Sequence, residues 1–170
     1  MRIQDALTIS RIVFVPLVMV CWGANATVWR WAGLALFVVL AITDYADGRI
    51  ARYRHETSRF GAYVDPFADK LLVLGGASVL VGDHRLSVWW FFFVLARELG
   101  VSTLRAVLRP GATLPASVGA KFKTLSQLVA VGASSVFSGW GPHLLLAVSL
   151  VLTLGTGIDY LRRMWHAIDF

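Results

Sequence analysis

Residues 43–82 read TDYADGRIARYRHETSRFGAYVDPFADKLLVLGGASVLVG. This stretch carries four aspartates, Asp44, Asp47, Asp65 and Asp69, and its last twelve residues hold no charged side chain. In a helix, residues three or four positions apart lie on one face, and each pair of aspartates has such a spacing. A short basic loop joins the two segments. The sequence therefore predicts two neighbouring helices whose acidic faces meet.

The four aspartates are predicted to form a metal site. Clustered carboxylates repel one another and are costly at membrane depth unless a cation joins them. All-oxygen ligands favour a hard divalent ion such as Mg²⁺ or Mn²⁺, and four carboxylates suffice for two ions suited to displacement at phosphorus. The alternative is that the aspartates only pair with nearby cations at a solvated helix end, namely Arg49, Arg52, Arg54, Arg59 and Lys70.

The composition of the whole chain indicates an integral membrane protein. Of 170 residues, 57% are hydrophobic and only 15% are charged, which is a low charge content for a soluble domain. The length suits one membrane domain over residues 1–170. Cys21 is the single cysteine, so an internal disulfide is excluded and the residue is expected to be a small buried hydrophobe. No removable signal peptide is expected at the N-terminus.

Six apolar segments approach the roughly 20 residues that a membrane-spanning helix needs. They lie at 8–24, 28–48, 60–81, 86–108, 117–138 and 142–163. The predicted fold is therefore an all-α bundle of six transmembrane helices with both termini on one side of the membrane.

The distribution of positive charge predicts which side that is. Of the 16 Lys and Arg residues, only Arg30 and Arg85 fall on the side opposite the termini. By the positive-inside rule the termini and the 53–60 loop are cytoplasmic, and the protein is expected in the cell (inner) membrane. The net charge of +6 then belongs to the inner membrane face, so nucleic acid is not an expected partner. An aromatic belt is expected on the opposite side, from Trp29, Trp31, Trp89, Trp90 and Trp140.

The acidic stretch resembles the signature of the CDP-alcohol phosphotransferase family. Every fixed position and both spacers match the pattern D-x2-D-G-x2-A-R-x8-G-x3-D-x3-D, which runs here from Asp44 to Asp69. The resemblance implies a six-helix membrane bundle, commonly homodimeric, with its active site open to the cytoplasm. It also implies that CDP-diacylglycerol is the donor, that an alcohol attacks it, and that CMP leaves.

The resemblance also assigns roles to single residues. Asp44, Asp47 and Asp65 would hold two Mg²⁺ or Mn²⁺ ions, and Asp69 would bind the second ion and act as general base. The positions expected to contact CDP-diacylglycerol are Gly48, Ala51, Arg52, Ser58 and Gly61. For Gly48 and Gly61, simple close packing of helices is the alternative.

The segment DALTISR (5–11) resembles a further nucleotide-contacting element of the family, which adds Thr8 and Arg11 to the expected donor site. Asp5 stands there in place of the usual Asn. Ala120 is a second departure, in place of the usual Gly.

Outside the signature, the chain most resembles the bacterial phosphatidylglycerophosphate synthases, whose acceptor is glycerol 3-phosphate. The similar segments are ARELGVSTLR (96–105), AKFKTLSQ (120–127) and TGIDYLRR (156–163). Cations near the inner membrane face suit a phosphate monoester, so the predicted acceptor site consists of Arg97, Arg105, Lys121 and Lys123. The alternative is that these cations anchor anionic lipid. The sequence leaves open which cation Glu98 pairs with.

Other functions are compatible with parts of this pattern. Within the family the acceptor could be inositol phosphate, phosphatidylglycerol or serine. A membrane prenyltransferase also uses two Asp-rich helices with Mg²⁺, but 17 residues between Asp47 and Asp65 are few for that class. A cation channel or transporter would place carboxylates deeper in the bundle.

Overall fold

The computed structural model describes the backbone of residues 3–24, 26–54, 59–107 and 118–168. It describes side chains at residues 10, 12–24, 26–43, 70–104, 119 and 121–165. The described backbone forms six α-helices and no strand. They are α1 (Ile3–Gly23), α2 (Thr27–Arg54), α3 (Arg59–Gly82), α4 (Val88–Val107), α5 (Val118–Val136) and α6 (Trp140–Ile168). Each predicted apolar segment coincides with one helix, so the all-α prediction is confirmed.

Contacts near the chain turns show that successive helices are antiparallel. Arg30, at the start of α2, contacts Asp83, just beyond the end of α3. Trp90, early in α4, donates a hydrogen bond to the carbonyl oxygen of Leu146, early in α6. These residues lie at one end of the bundle, which we call the far end. The opposite end contains residues 44–54 of α2 and 59–69 of α3, and we call it the signature end.

Helix α3 lies at the centre of the bundle and packs against α1, α2, α4 and α5. Among the described residues of α3, no large hydrophobic side chain is exposed. Helix α6 packs against α4 and α5, and α2 against α1 and α5. The core that joins them is apolar and includes Val18, Phe37, Leu72, Val73, Leu80, Val94 and Val131.

Trp22 of α1 fills the space between α2 and α3. Its side chain is fully buried, and its ring lies 5.1 Å from that of Phe37. A Cβ atom added at Gly33 of α2 would lie 2.5 Å from the indole, and one at Gly76 of α3 would lie 2.6 Å from it. Glycine at both positions therefore lets the two helices approach the indole closely. Cys21, next to Trp22, is buried as predicted.

The two arginines at the far end bind the C-terminal end of α5. Arg85 donates hydrogen bonds to the carbonyl oxygens of Ser134 and Ser135, each at 3.4 Å, and Arg30 reaches that of Ser135 at 3.5 Å. The last carbonyl groups of a helix lack partners within the helix and carry partial negative charge, so cations stabilise them. The Arg30–Asp83 ion pair, at 2.7 Å, joins the same end of α5 to α2 and α3.

Of the five tryptophans predicted to form an aromatic belt, four are exposed and Trp90 is not. Trp29, Trp31, Trp89 and Trp140 are exposed. Trp90 is buried, and its indole nitrogen donates to Leu146 O and Ser149 Oγ, both at 3.0 Å. The prediction failed because neighbouring residues of a helix point in different directions, so that Trp89 faces outward and Trp90 faces α6.

The outer surface of the bundle is apolar. Exposed large hydrophobic side chains lie on α1, α2, α4, α5 and α6, among them Val20, Val28, Phe92, Leu125 and Val151. Among the described residues, the stretch Trp140–Trp165 is by itself long and apolar enough to cross a membrane, and Ile12–Gly23, Thr27–Thr43 and Lys70–Gly82 are shorter apolar helical stretches. Continuous exposed apolar surface is unfavourable in water and marks a binding or membrane surface.

The contact between Gly76 and Trp22 predicts a large effect of a single methyl group. Gly76→Ala would drive the new Cβ into a fully buried ring, and we expect a loss of about 1–3 kcal/mol of stability. Thermal unfolding in detergent, followed by circular dichroism, measures it. Gly155→Ala is the matched control, because a Cβ there meets nothing within 4 Å. A Gly76→Ala protein as stable as this control would show that α3 does not depend on close approach to Trp22.

Candidate functional site

The acidic segments of the antiparallel helices α2 and α3 lie at about the same level along the axis of the bundle. The Arg30–Asp83 ion pair fixes α2 against α3 at the far end. Asp44 follows Arg30 by 14 residues and Asp69 precedes Asp83 by 14 residues, which is about 21 Å along each helix. Asp47 and Asp65 lie 17 and 18 residues from the same ion pair, or about 26 Å. The backbones of the two predicted carboxylate pairs therefore reach similar heights at the signature end.

The metal assignment of these aspartates stays a prediction, because their side chains lie outside the described residues. Among the described side chains, no group of three or more His, Cys, Asp or Glu residues could hold a metal ion.

The predicted donor-binding residues that the structure describes lie on three helices. Gly48, Ala51 and Arg52 belong to the end of α2, and Gly61 to the start of α3. Thr8 and Arg11 belong to the first half of α1. The other end of α1 lies beside the far end of α3, since a Cβ atom added at Gly23 would lie 3.9 Å from Val79 Cγ1. The start of α1 is thus at the signature end. Ser58 lies outside the described residues.

A group of buried and half-buried charged side chains lies inside the bundle toward the signature end. It consists of Lys70 of α3, Arg97 and Glu98 of α4, and Lys123 of α5, and we call it the cation cluster. Glu98 Oε1 accepts a hydrogen bond from Arg97 Nη1 at 3.1 Å and another from Lys123 Nζ. Glu98 and Lys123 are only 6% and 4% exposed. The sequence left the partner of Glu98 open, and in the structure Glu98 pairs with both Arg97 and Lys123.

Helix α6 holds the Arg97 side chain from the other side. Arg97 Nη2 donates to Thr156 Oγ1 at 3.4 Å. A Cβ at Gly157 would lie 3.2 Å from Arg97 Cγ, so glycine leaves room for the arginine stem. Arg97 Nε is buried and has no hydrogen-bond partner among the described residues.

A row of buried polar side chains continues from the cation cluster along α6. Gln127 of α5 donates to Thr153 at 2.9 Å, and one turn further Ser149 accepts from Trp90 at 3.0 Å. Inside an apolar bundle such interhelical hydrogen bonds join neighbouring helices. They fix α6 against α4 and α5, and with it the position of Thr156 beside Arg97.

Of the four cations predicted to bind the acceptor, the structure describes the side chains of Arg97, Lys121 and Lys123, and Lys121 does not share the burial of the other two. Arg97 and Lys123 share Glu98. Lys121 is exposed, because residues two positions apart on a helix face different directions. Arg105 lies in the last turn of α4, and its side chain is outside the described residues.

Lys70 connects the acidic segment of α3 to the other members of the cation cluster. It directly follows Asp69 in α3, and its Nζ donates to the carbonyl oxygen of Glu98 at 3.3 Å and to the hydroxyl of Ser102. The backbone of Asp69 is therefore one residue away from a side chain that contacts α4 beside Arg97. The predicted metal segment and the predicted acceptor cations thus adjoin each other.

Sequence reasoning missed several members of this site. Glu98 was recognised but given no partner, and Lys70, Thr156 and Gly157 were given no place in the site. A weak signal existed for Glu98, since an acidic residue beside Arg97 in an otherwise apolar helix needs a partner.

Comparison with known proteins identifies the family. The family model described as CDP-alcohol phosphatidyltransferase matches residues 1–156. This chain belongs to the CDP-alcohol phosphatidyltransferase family. The resemblance of its acidic signature is thereby confirmed, and CDP-alcohol phosphatidyltransferases generally use divalent metal ions.

Relatives of this chain align with nearly its whole length. A protein of Mycobacterium tuberculosis named probable phosphatidylglycerophosphate synthase is 38% identical over 95% of this chain and 81% of its own length. Proteins of Bacillus subtilis and Escherichia coli, both named CDP-diacylglycerol–glycerol-3-phosphate 3-phosphatidyltransferase, are 30% and 34% identical. They align with 98% and 94% of this chain, and with 97% and 93% of their own lengths.

Proposed function

We propose that this protein transfers the phosphatidyl group of CDP-diacylglycerol to glycerol 3-phosphate in phospholipid biosynthesis. A hydroxyl oxygen of the acceptor attacks the phosphorus that carries the diacylglycerol. The bond from that phosphorus to the bridging oxygen breaks, and CMP leaves with the bonding electrons. The products are phosphatidylglycerophosphate and CMP. The printed names of the relatives support this reaction, and they favour it over a prenyltransferase or a cation channel.

The contact of Lys70 with α4 is the observation that carries this proposal. It connects the segment of Asp69 to the helix of Arg97 and Glu98. A transferase of this kind needs the donor pyrophosphate and the acceptor phosphate side by side, so that the attacking oxygen is oriented toward phosphorus. The predicted donor residues that the structure describes belong to α1, α2 and α3, and Arg97, Glu98 and Lys123 adjoin them from α4 and α5.

The four aspartates fit a pair of divalent cations by the chemistry of their donor set. They supply only carboxylate oxygens, which hard ions such as Mg²⁺ or Mn²⁺ prefer. Antiparallel α2 and α3 bring the backbones of both pairs to similar heights, as derived from the Arg30–Asp83 ion pair. When bound there by Asp44, Asp47, Asp65 and Asp69, two such ions would neutralise the pyrophosphate and stabilise charge that develops at phosphorus.

The remaining roles fall to the protein's own groups. Asp69 takes the proton of the attacking hydroxyl as general base. Arg52 binds a phosphate oxygen of the donor with its planar fork. Gly48, Ala51 and Gly61 leave space for the CDP moiety between α2 and α3, and further donor contacts come from Thr8, Arg11 and Ser58.

The acceptor phosphate is bound by cations at the inner face of the bundle. Arg97 and Lys123 outnumber the one carboxylate, Glu98, that they share, and an anionic phosphate monoester would balance the remaining positive charge. Arg105 and Lys121 lie nearer the signature end of α4 and α5 and would attract the acceptor from solution.

The protein is proposed to span the cell membrane six times with its active site facing the cytoplasm. The sequence of α2 carries no charged side chain from Trp31 to Thr43, so the acidic signature, which begins at Asp44, directly follows an apolar stretch. The exposed apolar side chains on five helices would face lipid. By family resemblance the working unit is a homodimer.

Removing one metal-binding charge should abolish activity without unfolding the protein. Asp44→Asn and Asp65→Asn keep the side-chain volume but remove a predicted ligand charge, so we expect release of CMP from CDP-diacylglycerol to fall below about one per cent of wild type. The assay uses saturating Mg²⁺ and glycerol 3-phosphate. Asp159→Asn is the matched control, because Asp159 forms an exposed ion pair with Arg163. Near-normal turnover in Asp44→Asn or Asp65→Asn would contradict the metal assignment.

The proposed topology can be tested with single cysteines. In a Cys21→Ser background, a cysteine replaces either Ser58, between α2 and α3, or Ser138, between α5 and α6. A membrane-impermeant maleimide should label the two positions from opposite sides of sealed vesicles, with Ser58→Cys reacting from the cytoplasmic side. Labelling of both from the same side would contradict the six-span arrangement.

A further inference from the structure

The proposed reaction assigns no role to Glu98, although its side chain is buried between two cations. It lies within α4, is 6% exposed, and uses one carboxylate oxygen, Oε1, to bind Arg97 and Lys123 at once. Arg97 belongs to the same helix as Glu98, whereas Lys123 comes from α5. A single oxygen atom therefore sets the relative position of two cations on different helices.

The two cations depend on this carboxylate. The side chains of Arg97 and Lys123 are 11% and 5% exposed, so little water screens their mutual repulsion. Like charges in such a place are unfavourable unless an opposite charge lies between them. Without the negative charge of Glu98, we expect the Lys123 side chain to turn away from Arg97.

Two observations indicate that the group serves a ligand as well as the fold. A purely structural pair needs one cation for one carboxylate, but here Glu98 is shared by two. In addition, Arg97 Nε is a buried donor without a hydrogen-bond partner among the described residues, and a buried donor left unsatisfied is unfavourable. Both features suit an anionic oxygen ligand that binds beside Arg97.

We propose that Glu98 is a positioning residue for the acceptor: it holds Arg97 and Lys123 in the geometry that binds the phosphate of glycerol 3-phosphate. This inference rests on the proposed function. Glu98 itself does not touch the acceptor, since a carboxylate would repel the phosphate. Thr156 and Gly157 support the same arrangement by fixing the other side of Arg97.

A double-mutant cycle tests the proposal. The variants are Glu98→Gln, Glu98→Asp, Arg97→Ala and the combination of Glu98→Gln with Arg97→Ala, with Asp159→Asn as the control for loss of an acidic charge. For each, kcat and KM are measured for CDP-diacylglycerol and for glycerol 3-phosphate separately. Thermal unfolding in detergent reports whether each variant is folded.

We expect Arg97→Ala and Glu98→Gln each to lower kcat/KM for glycerol 3-phosphate by about tenfold or more. The donor KM should stay within about twofold, because the donor residues belong to other helices. Glu98→Asp, which keeps the charge, should recover part of the loss. In the Arg97→Ala background, the further loss of kcat/KM caused by Glu98→Gln should be at least about threefold smaller than the loss it causes alone. The reason is that the effects of substituting two groups that act through each other are not additive.

Several results would overturn the positioning role. These are an unchanged acceptor KM in Glu98→Gln, equal losses for donor and acceptor, or fully additive effects of the two substitutions. If Glu98→Gln does not fold, Glu98→Asp decides: a folded variant that loses donor and acceptor efficiency equally contradicts the proposal. Wild-type enzyme that makes no lipid from glycerol 3-phosphate contradicts the proposed function instead, so the two failures are distinguishable.

Discussion

The hydrogen bonds of Glu98 to Arg97 and Lys123 are the interaction around which the inner half of this bundle is arranged. They join α4 to α5, Lys70 of α3 contacts the Glu98 carbonyl oxygen, and Thr156 of α6 contacts Arg97. Four helices therefore meet around Glu98 and Arg97. Because a charge inside an apolar bundle is costly without a partner, none of these side chains can be removed without affecting the others.

The same cost explains how charge is arranged at the far end. Arg30 pairs with Asp83, and both Arg30 and Arg85 bind carbonyl oxygens at the end of α5. This arrangement fixes the register of α2 against α3, and the register determines where their acidic segments come level at the other end. A structural ion pair on one side of the bundle thus sets the geometry of the predicted chemistry on the other, about 21 Å away along each helix.

Much of this architecture could be predicted from the sequence, because length and hydropathy determine which segments become helices. The three- and four-residue spacings of the aspartates likewise placed each pair on one helix face. What could not be predicted is the direction in which a helical side chain points and the residue that it contacts. Trp90 was assigned to the surface because segment boundaries do not reveal which side of a helix meets a neighbour. Lys121 and Lys123 were grouped by closeness in sequence, although a two-residue step turns a helical side chain away. The partners of Glu98 depend on how α5 packs against α4, which no local pattern contains.

The proposed function requires that the cationic group beside the acidic signature select a phosphorylated acceptor. The most direct measurement supplies purified protein with CDP-diacylglycerol, Mg²⁺ and one labelled acceptor at a time: glycerol 3-phosphate, inositol phosphate, serine or phosphatidylglycerol. The lipid products are separated and CMP is quantified. We expect glycerol 3-phosphate to give the highest rate, with one phosphatidylglycerophosphate formed for each CMP released. A higher rate of lipid formation with serine or phosphatidylglycerol, or CMP release without a lipid product, would contradict it.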